Sequence, residues 1–327
     1  MTETLPPALE RPLDRSFALE AVRVTEAAAI AAFAQIGRGN EHAADQAAVE
    51  AMRAAFNVLP IDGTVVIGEG ERDEAPMLFI GEKVGLGGLA VDIALDPLEG
   101  TTLTAKAMAN ALAVMAMAEP GSMLNAPDTY MEKIAIGPGF KDGLIDLDAE
   151  PGHNIDAIAR AKGVSRSEIT ALVMDRPRHE ELISKIRKAG AKVKLITDGD
   201  VAGVIETTDP AAGVDIYMGT GGAPEGVLAA AALRCVGGQM QGRLVFRNDD
   251  ERARAAKWGI TNLHRKYSLR DLVAGDVVFS ATGVTDGAML RGVHWEKGFI
   301  TTESVVMRSA TGTVRWIKAR HRREKSG

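Results

Sequence analysis

The chain has 327 residues, a hydrophobic fraction of 46% and a formal net charge of −6, as expected of a globular protein with a sizeable core. Residues 315–325 hold six Lys or Arg and one Glu, so the remainder carries −11, which argues against a nucleic-acid-binding surface. A single cysteine, Cys235, excludes an internal disulfide, and the longest apolar run, residues 111–118, is far short of the ~20 residues that span a bilayer. With no apolar signal segment in residues 1–15, we expect a cytoplasmic protein without membrane contact, and we interpret the basic terminus as a solvated or disordered tail.

Helix signals come first along the chain. Apolar and Ala-rich spacing predicts one helix over residues 17–36 and a second over residues 41–58, with Asn40 as the N-cap of the second. β-branched and apolar runs then predict strands at residues 64–67, 90–95, 111–118 and 131–136. The second of these strands is expected to end at Asp96-Pro97.

From about residue 154, helix and strand signals alternate. The predicted helices cover residues 155–162 and 178–188, and a third follows Pro224. The predicted strands cover residues 169–174, 192–196, 214–217, 244–247, 277–281 and 302–308. This alternation predicts an α/β fold with layers of helices and sheets, and the Pro151-Gly152 break is the predicted boundary between two subdomains.

Acidic side chains gather at the ends of the first two predicted strands. Asp92 and Asp96 share one face of an apolar strand, where a buried carboxylate must be paired or bound to a metal. The strand leads into Asp96-Pro97-Leu98-Glu99-Gly100-Thr101, in which two carboxylates and a hydroxyl can converge. Carboxylates without paired histidines favour Mg²⁺ or Mn²⁺ over zinc. The acidic run at residues 68–74 is either a solvated turn or part of the same ligand crevice.

Further polar motifs follow the later strands. The two guanidinium groups of Arg176-Pro177-Arg178 can clamp a phosphate, with ordinary helix-start charges as the alternative. Asp198-Gly199-Asp200 can accept hydrogen bonds from sugar hydroxyls or cap a helix. The glycine-rich run at residues 219–226 is a weak phosphate-loop signal, in which Glu225 suits a sugar hydroxyl or a metal. Tyr130 can bind a phosphate or a hydroxyl, or belong to the core.

Longer segments resemble a known protein family. The run DPLEGT at residues 96–101 is similar to the signature of the lithium-sensitive, metal-dependent sugar and inositol phosphatases. The segments that resemble the class II fructose-1,6-bisphosphatases of bacteria are IDGTVVIGEGE at 61–71, DEAPML at 73–78, YMEK at 130–133 and GGAPEG at 221–226. The resemblance extends from about residue 15 to residue 318. It implies alternating layers of helices and mixed β-sheets, with a metal-binding phosphatase subdomain at residues 1–150 and a sugar-phosphate-binding subdomain at residues 151–327.

The resemblance also implies roles for individual residues. It places two or three Mg²⁺ or Mn²⁺ ions among Asp45, Glu69, Asp96 and Glu99, and it places Thr101 and Asp73 around the attacking water. From sequence alone, Asp45 would pass as an ordinary exposed acid near a helix N-terminus. The substrate contacts that the resemblance implies are Glu99, Gly100, Thr101, Tyr130, Arg176, Pro177, Arg178, Asp198, Gly199, Asp200, Gly222 and Glu225.

The activity expected from this resemblance is metal-dependent hydrolysis of the 1-phosphate of fructose 1,6-bisphosphate. Sedoheptulose 1,7-bisphosphate is the alternative or additional substrate. A non-catalytic sensor of sugar phosphates is a further alternative, although it would be expected to lack the metal carboxylates or Thr101. The expected partners are a sugar bisphosphate and, by resemblance alone, further copies of the chain in a homodimer or homotetramer.

Overall fold

Helices and strands alternate along the chain in the computed structural model, which describes residue 13, residues 16–70 and residues 77–322. The helices are α1 Phe17–Phe33, α2 Glu41–Phe56, α3 Thr101–Ala105, α4 Pro151–Lys162, α5 Glu180–Lys188, α6 Asp200–Glu206, α7 Ala223–Val236, α8 Asp249–Lys257 and α9 Leu269–Leu272. The strands are β1 Ile61–Ile67, β2 Lys83–Val84, β3 Leu89–Glu99, β4 Leu112–Ala118, β5 Tyr130–Ile136, β6 Thr170–Met174, β7 Lys192–Ile196, β8 Ile216–Gly222, β9 Gln239–Val245, β10 Lys266–Ser268, β11 Val277–Gly283, β12 His294–Glu296, β13 Phe299–Arg308 and β14 Thr313–Arg322. Across these described ranges, every helix is too short or too polar to cross a membrane.

The strands form two mixed sheets. Sheet 1 has the order β12-β13-β11-β4-β3-β1-β2, with β14 paired to β13. In sheet 1, β1 and β3 are parallel, whereas β3, β4, β11 and β13 pair antiparallel in turn. Sheet 2 has the order β10-β9-β5-β8-β6-β7, and its β8-β6-β7 part is parallel.

Three apolar clusters arrange the helices and sheets in layers. One cluster packs α1 and α2 against one face of sheet 1. A second fills the space between the two sheets and contains α6 and α7. A third packs α4 and α5 against the other face of sheet 2. Helices and mixed sheets therefore alternate through five layers, which confirms the predicted layered α/β fold.

Strand β3 continues past the expected break at Asp96-Pro97 and ends at Glu99. Its pairing with β4 shifts register between Asp96 and Glu99. Pro97 has no N–H to donate to a neighbouring strand, and a bulge is one of the few places in a sheet where this is tolerated. The predicted end of the strand was therefore wrong, and the bulge carries the chain on toward Gly100.

The basic terminus also differs from its prediction. Residues Thr313–Arg322 form β14, which pairs antiparallel with β13 along its whole length. Val314 and Ile317 pack against the apolar clusters on either side of sheet 1, and the Arg320 guanidinium lies 3.7 Å from the centre of the Phe299 ring. Of the two interpretations, a solvated or a disordered tail, disorder was wrong for this stretch, because pairing with β13 orders its backbone while its Arg and Lys side chains stay exposed. Residues 323–327 lie outside the described residues.

The strands before residue 150 do not all belong to one sheet, nor do the strands after it. Strand β5 precedes that point in the chain yet belongs to sheet 2, and β11 to β14 follow it yet belong to sheet 1. The division into residues 1–150 and 151–327 therefore stays a prediction, and it does not describe how the strands are shared between the sheets.

Candidate active site

A cavity of about 350 Å³ lies where the ends of β1 and β3 meet the starts of α3, α6 and α7. Residues of α2 and of the segment before β5 complete its wall. The polar side chains that line it are Asp45, Glu69, Asp96, Glu99, Thr101, Asp128, Asp198, Asp200 and Glu225. All four predicted metal ligands thus line one cavity, although they come from α2, the loop after β1, and β3.

The end of β3 forms one wall of this cavity. Asp96 Oδ1 accepts a hydrogen bond from the Leu98 N–H at 3.0 Å. Gly100 then adopts a φ of 90°, which favours glycine, and Thr101 begins α3 immediately after it. The bulge and this turn bring the Asp96 and Glu99 carboxylates and the Thr101 hydroxyl to the same cavity. Asp92, on the same face of β3, does not line it, and its Oδ2 accepts instead from the Gly121 N–H at 2.7 Å.

Several carboxyl groups around the cavity have raised pKa values. Desolvation raises the pKa of Glu69 from 4.5 to about 8, with further increases from the charges of Asp45 and Glu225. Desolvation, followed by the charge of Asp200, raises the pKa of Glu225 to about 7. The pKa values of Asp96 and Glu99 lie well above their ordinary values, again mainly because of desolvation and then neighbouring carboxylates. Burial and mutual repulsion therefore leave the site short of positive charge.

The donor set fits a hard divalent cation. Glu99 Oε1 accepts from the Val201 N–H at 2.8 Å, but Glu99 Oε2 and Glu225 Oε2 are buried without a hydrogen-bond partner among the described residues. Unsatisfied buried oxygens of this kind are costly unless a ligand binds them. Carboxylate oxygens are the ligands that Mg²⁺ and Mn²⁺ prefer.

The carboxylates surround the cavity rather than meeting at one point. Within residues 16–70 and 77–322, no three Asp, Glu, His or Cys side chains are arranged to hold a single ion. The predicted catalytic residue Asp73 belongs to residues 71–76, outside the described part of the chain. The described side chains thus supply the donors, and the grouping of those donors around individual ions stays a prediction.

A buried lysine balances part of this acidity. Lys133 is 1% exposed and forms an ion pair with Asp200, and its Nζ also donates to the Gly222 carbonyl oxygen at 2.9 Å. The sequence interpretation assigned no role to Lys133. The sequence held a signal for it, because Lys133 alternates with the apolar residues Met131 and Ala135 on one face of β5. Both are buried between the sheets, where a lysine needs a carboxylate partner.

Two glycines shape the helix starts at the cavity. Gly199 has a φ of 86° and is the N-cap of α6, so neither Asp198 nor Asp200 occupies the N-cap position that the sequence allowed for them. Gly222 is the N-cap of α7, with Pro224 in the first turn. A Cβ atom on Gly222 would lie 1.8 Å from Glu225 Oε2, so glycine permits the carboxylate to turn back over the helix start.

The predicted phosphate-binding residues form a group beside the cavity. The Arg178 Nε donates to the Thr220 carbonyl oxygen at 2.9 Å, and its guanidinium carbon lies 5.0 Å from the centre of the Tyr130 ring. Arg176 Nη2 lies 3.8 Å from Oδ1 of Asp198, which lines the cavity. Pro177 begins the 3₁₀ turn Pro177–His179, which contains Arg178 and leads into α5. Tyr130, Arg176, Pro177 and Arg178 are therefore neighbours of the cavity rather than part of its lining.

A second side chain that the sequence interpretation missed is His179. Its Nδ1 is 2.8 Å from the Met174 carbonyl oxygen, and its Nε2 accepts from the Thr220 N–H at 2.8 Å. This pair of contacts requires a neutral ring with the proton on Nδ1, and burial lowers the pKa of His179. His179 thereby ties β8 to the turn that carries Arg178. Asp128, which lines the cavity two residues before Tyr130, was also not predicted.

Comparison with known proteins gives a consistent family match. The family model described as "Bacterial fructose-1,6-bisphosphatase, glpX-encoded" matches residues 15–321. Over 322 residues, the chain is 47% identical to fructose-1,6-bisphosphatase 1 class 2 of Escherichia coli strain K12, an alignment that covers 94% of this chain and 95% of that protein. The same identity and coverage relate it to the class 2 fructose-1,6-bisphosphatases of Escherichia coli O6:H1 and Shigella flexneri.

Proposed function

The chain belongs to the bacterial fructose-1,6-bisphosphatase family, and on that premise we propose that it hydrolyses the 1-phosphate of fructose 1,6-bisphosphate to fructose 6-phosphate and inorganic phosphate. The relatives that cover nearly the whole chain carry this activity in their names. Their names do not favour the alternative substrate sedoheptulose 1,7-bisphosphate. The cavity also does not favour a non-catalytic sensor. A sensor is expected to lack the metal carboxylates or Thr101, and these residues line the cavity.

The observation that carries the proposal is the set of desolvated carboxylates around one cavity, with Glu99 Oε2 and Glu225 Oε2 unsatisfied. We assign Asp45, Glu69, Asp96 and Glu99 as the side chains that hold two or three Mg²⁺ or Mn²⁺ ions. When bound, such ions neutralise charge on the phosphoryl oxygens and on the leaving alkoxide. An acidic cavity of this kind can accept a polyanionic substrate only with cations present.

The chain's own residues orient the reacting groups. Thr101 lines the cavity at the start of α3, where its Oγ1 can hydrogen-bond to the attacking water and hold it in line with phosphorus. We propose Asp73 as the second group around that water. The Gly100 and Thr101 N–H groups lie at the N-terminus of α3, where backbone donors suit a phosphoryl oxygen.

The sugar and the second phosphate are assigned to the other side of the cavity. Asp198 and Asp200 line the cavity and can accept hydrogen bonds from sugar hydroxyls. Arg176 and Arg178, with Tyr130, lie next to this wall and can bind the phosphate that is not hydrolysed. This arrangement favours a bisphosphate over a monophosphate.

Phosphate release from fructose 1,6-bisphosphate tests the proposal. We expect release with Mg²⁺ or Mn²⁺, loss of release with a chelator, and a decrease in kcat/KM of more than about tenfold in Glu69→Gln and in Asp96→Asn. Asp62→Asn is the matched control. Asp62 lies on β1, the strand that leads to Glu69, but its side chain is exposed and paired with Lys83. Activity within tenfold of the wild type in Glu69→Gln and Asp96→Asn would contradict the assignment of the metal ligands.

The remaining assignments are proposals at the level of the whole protein. We propose a cytoplasmic enzyme that assembles as a homodimer or homotetramer, with a metal-binding subdomain at residues 1–150 and a sugar-phosphate-binding subdomain at residues 151–327. These assignments rest on the resemblance of the sequence to the family. Sedimentation of the purified protein distinguishes the two oligomers from a monomer.

A further inference from the structure

Arg247 lies just beyond the end of β9 in sheet 2, next to the strand ends that carry the proposed substrate contacts. Tyr130, the first residue of β5, is paired on one side with Gly222 at the end of β8 and on the other with Val245 at the end of β9. Arg247 follows Val245 by two residues. The three strands therefore bring Arg247 to the same end of the sheet as Tyr130 and Gly222. Arg247 belongs to none of the motifs singled out in the sequence.

The guanidinium groups of two arginines lie over one tyrosine ring. The Arg247 guanidinium carbon is 4.6 Å from the centre of the Tyr130 ring, and that of Arg178 is 5.0 Å from the same centre. Each cation is attracted by the ring. A group with two negative charges, such as a phosphate monoester, can accept hydrogen bonds from both guanidinium groups.

Arg247 is held in place by a buried carboxylate. Glu251 is 1% exposed and accepts hydrogen bonds from the Arg247 Nε at 2.5 Å and from the Arg247 backbone N–H at 2.7 Å. Glu251 also accepts from the Thr129 hydroxyl at 2.8 Å, and Asn248 fixes its backbone by accepting from the Glu251 N–H at 2.9 Å. A guanidinium group anchored this way loses little conformational freedom when it binds a ligand.

Donors remain on Arg247 for that ligand. The guanidinium group has five N–H donors, and Glu251 contacts its Nε and Nη2. The Arg247 side chain is 50% exposed, and its side-chain contacts with described residues use Nε and Nη2, which leaves Nη1 for an acceptor. Asp128, which lines the cavity, is two residues before Tyr130 in the chain and its charge acts on Arg247, so the proposed substrate cavity lies close to this arginine pair.

We propose that Arg247 is a specificity-determining residue that, together with Arg178, binds the phosphate of the bisphosphate that is not hydrolysed. Glu251 and Thr129 act as positioning residues for Arg247. The inference rests on the proposed function, because it requires a bisphosphate in the adjacent cavity.

Steady-state kinetics on two substrates test this inference. Fructose 1,6-bisphosphate carries the second phosphate, whereas fructose 1-phosphate lacks it. For Arg247→Gln in the full-length protein with Mn²⁺, we expect KM for the bisphosphate to rise at least about tenfold, with kcat and the KM for fructose 1-phosphate within about threefold of wild type. Arg247→Lys keeps the charge but not the forked geometry, so we expect an intermediate KM. Thr129→Val should raise KM less than Arg247→Gln.

Binding of fructose 6-phosphate, measured by calorimetry, gives a readout that does not depend on turnover. This product retains the phosphate that Arg247 is proposed to bind, so its Kd should rise at least about tenfold in Arg247→Gln. Arg252→Gln is the matched control, because Arg252 lies in α8 of the same segment, is exposed and pairs with Asp249. We expect this control to behave as wild type in both experiments.

The outcomes separate the two proposals. A KM for the bisphosphate and a Kd for fructose 6-phosphate within twofold of wild type in Arg247→Gln would overturn the inference. An equal rise of KM for both substrates would also overturn it, since a structural role affects both alike. If the wild-type protein does not hydrolyse fructose 1,6-bisphosphate, the proposed function fails, while the fructose 6-phosphate experiment still decides the role of Arg247.

Discussion

Glu99 and Glu225 show how individual residues prepare the cavity for positive charge. Each has one carboxylate oxygen that is buried without a hydrogen-bond partner in the described part of the chain. Lys133 is paired with Asp200 and supplies one positive charge to this acidic neighbourhood. Where cations are absent, protons are the other source of positive charge. The raised pKa values of Glu69, to about 8, and Glu225, to about 7, express this shortage.

The stability of the metal-free protein should therefore depend on pH in an unusual direction. Because burial raises the pKa of Glu69 from 4.5 to about 8, the folded state retains a proton that the unfolded state has released. The stability that the protonated Glu69 side chain gives to the folded state is fully present below pH 4.5 and is lost as the pH rises to about 8. In a chelator, we expect the free energy of unfolding of the wild type to fall between pH 5 and pH 8. The fall should exceed that of Glu69→Gln by at least about 1 kcal/mol.

Urea denaturation at several pH values in this range measures the difference. Asp62→Asn removes an exposed carboxylate from β1 and should retain the pH dependence of the wild type. Addition of Mn²⁺ should flatten the curve of the wild type, because a bound cation replaces the retained protons. The same pH dependence in Glu69→Gln and in the wild type would show that Glu69 does not retain a proton in the folded state.

Among the elements, the turn from β8 to α7 has a direct effect on the proposed site. Gly222 ends β8 and caps α7, and its φ of −62° and ψ of 143° are accessible to any residue. Glycine is required there by the Glu225 carboxylate rather than by the backbone, because a Cβ atom would lie 1.8 Å from Glu225 Oε2. Because the Glu225 side chain is flexible, its carboxylate can move away from such a Cβ atom without disrupting the helix.

Gly222→Ala should therefore affect the site more than the fold. We expect the Mn²⁺ concentration that gives half-maximal activity to rise at least about fivefold, because Glu225 moves from its place at the cavity. The melting temperature should fall by less than about 4 °C. Gly152→Ala is the matched control, because a Cβ atom there would meet only Ala189 Cβ at 3.4 Å. A Mn²⁺ dependence for Gly222→Ala equal to that of Gly152→Ala would exclude this role for the turn.

At the scale of the whole molecule, sheet 1 joins distant parts of the chain. Strands β1 to β4 come from residues 61–118, whereas β11 to β14 come from residues 277–322. Strand β14 covers β13 along ten residue pairs, and β13 pairs in turn with β11 in the same sheet. The C-terminal strand thus protects what would otherwise be an open sheet edge.

Removal of residues 313–327 should expose that edge. We expect the melting temperature to fall by at least about 5 °C and the protein to aggregate on heating, because β13 loses its partner along one edge and the packing of Val314 and Ile317. Differential scanning fluorimetry with light scattering measures both effects. Removal of residues 323–327 alone leaves β14 intact and is the control. Equal melting temperatures for the two truncations would show that β14 does not stabilise the sheet.

The order of elements was predictable where local signals agreed. Asn40 caps α2 by accepting from the Ala43 N–H at 3.0 Å, and the run at residues 112–118 is a strand buried on both faces, as its continuous apolar sequence indicated. The end of β3 was not predictable, because a proline usually ends a strand and only the pairing partner decides whether a bulge can contain it. The basic terminus was misinterpreted for a similar reason, since β14 depends on β13 as its partner.

Residue types and their local spacing thus determined the layered α/β fold and the chemistry of the candidate ligands, because helix periodicity, strand alternation and a DPLEGT run are properties of neighbouring residues. The tertiary structure decided which of the polar groups meet. It brought Asp45 of α2 to the cavity at the end of β3 and separated Asp92 from it. It also paired Lys133 with Asp200 and placed Arg247 over Tyr130. These contacts join residues 51 to 117 positions apart, and only the packing of sheets and helices, which no local pattern encodes, determines such distances.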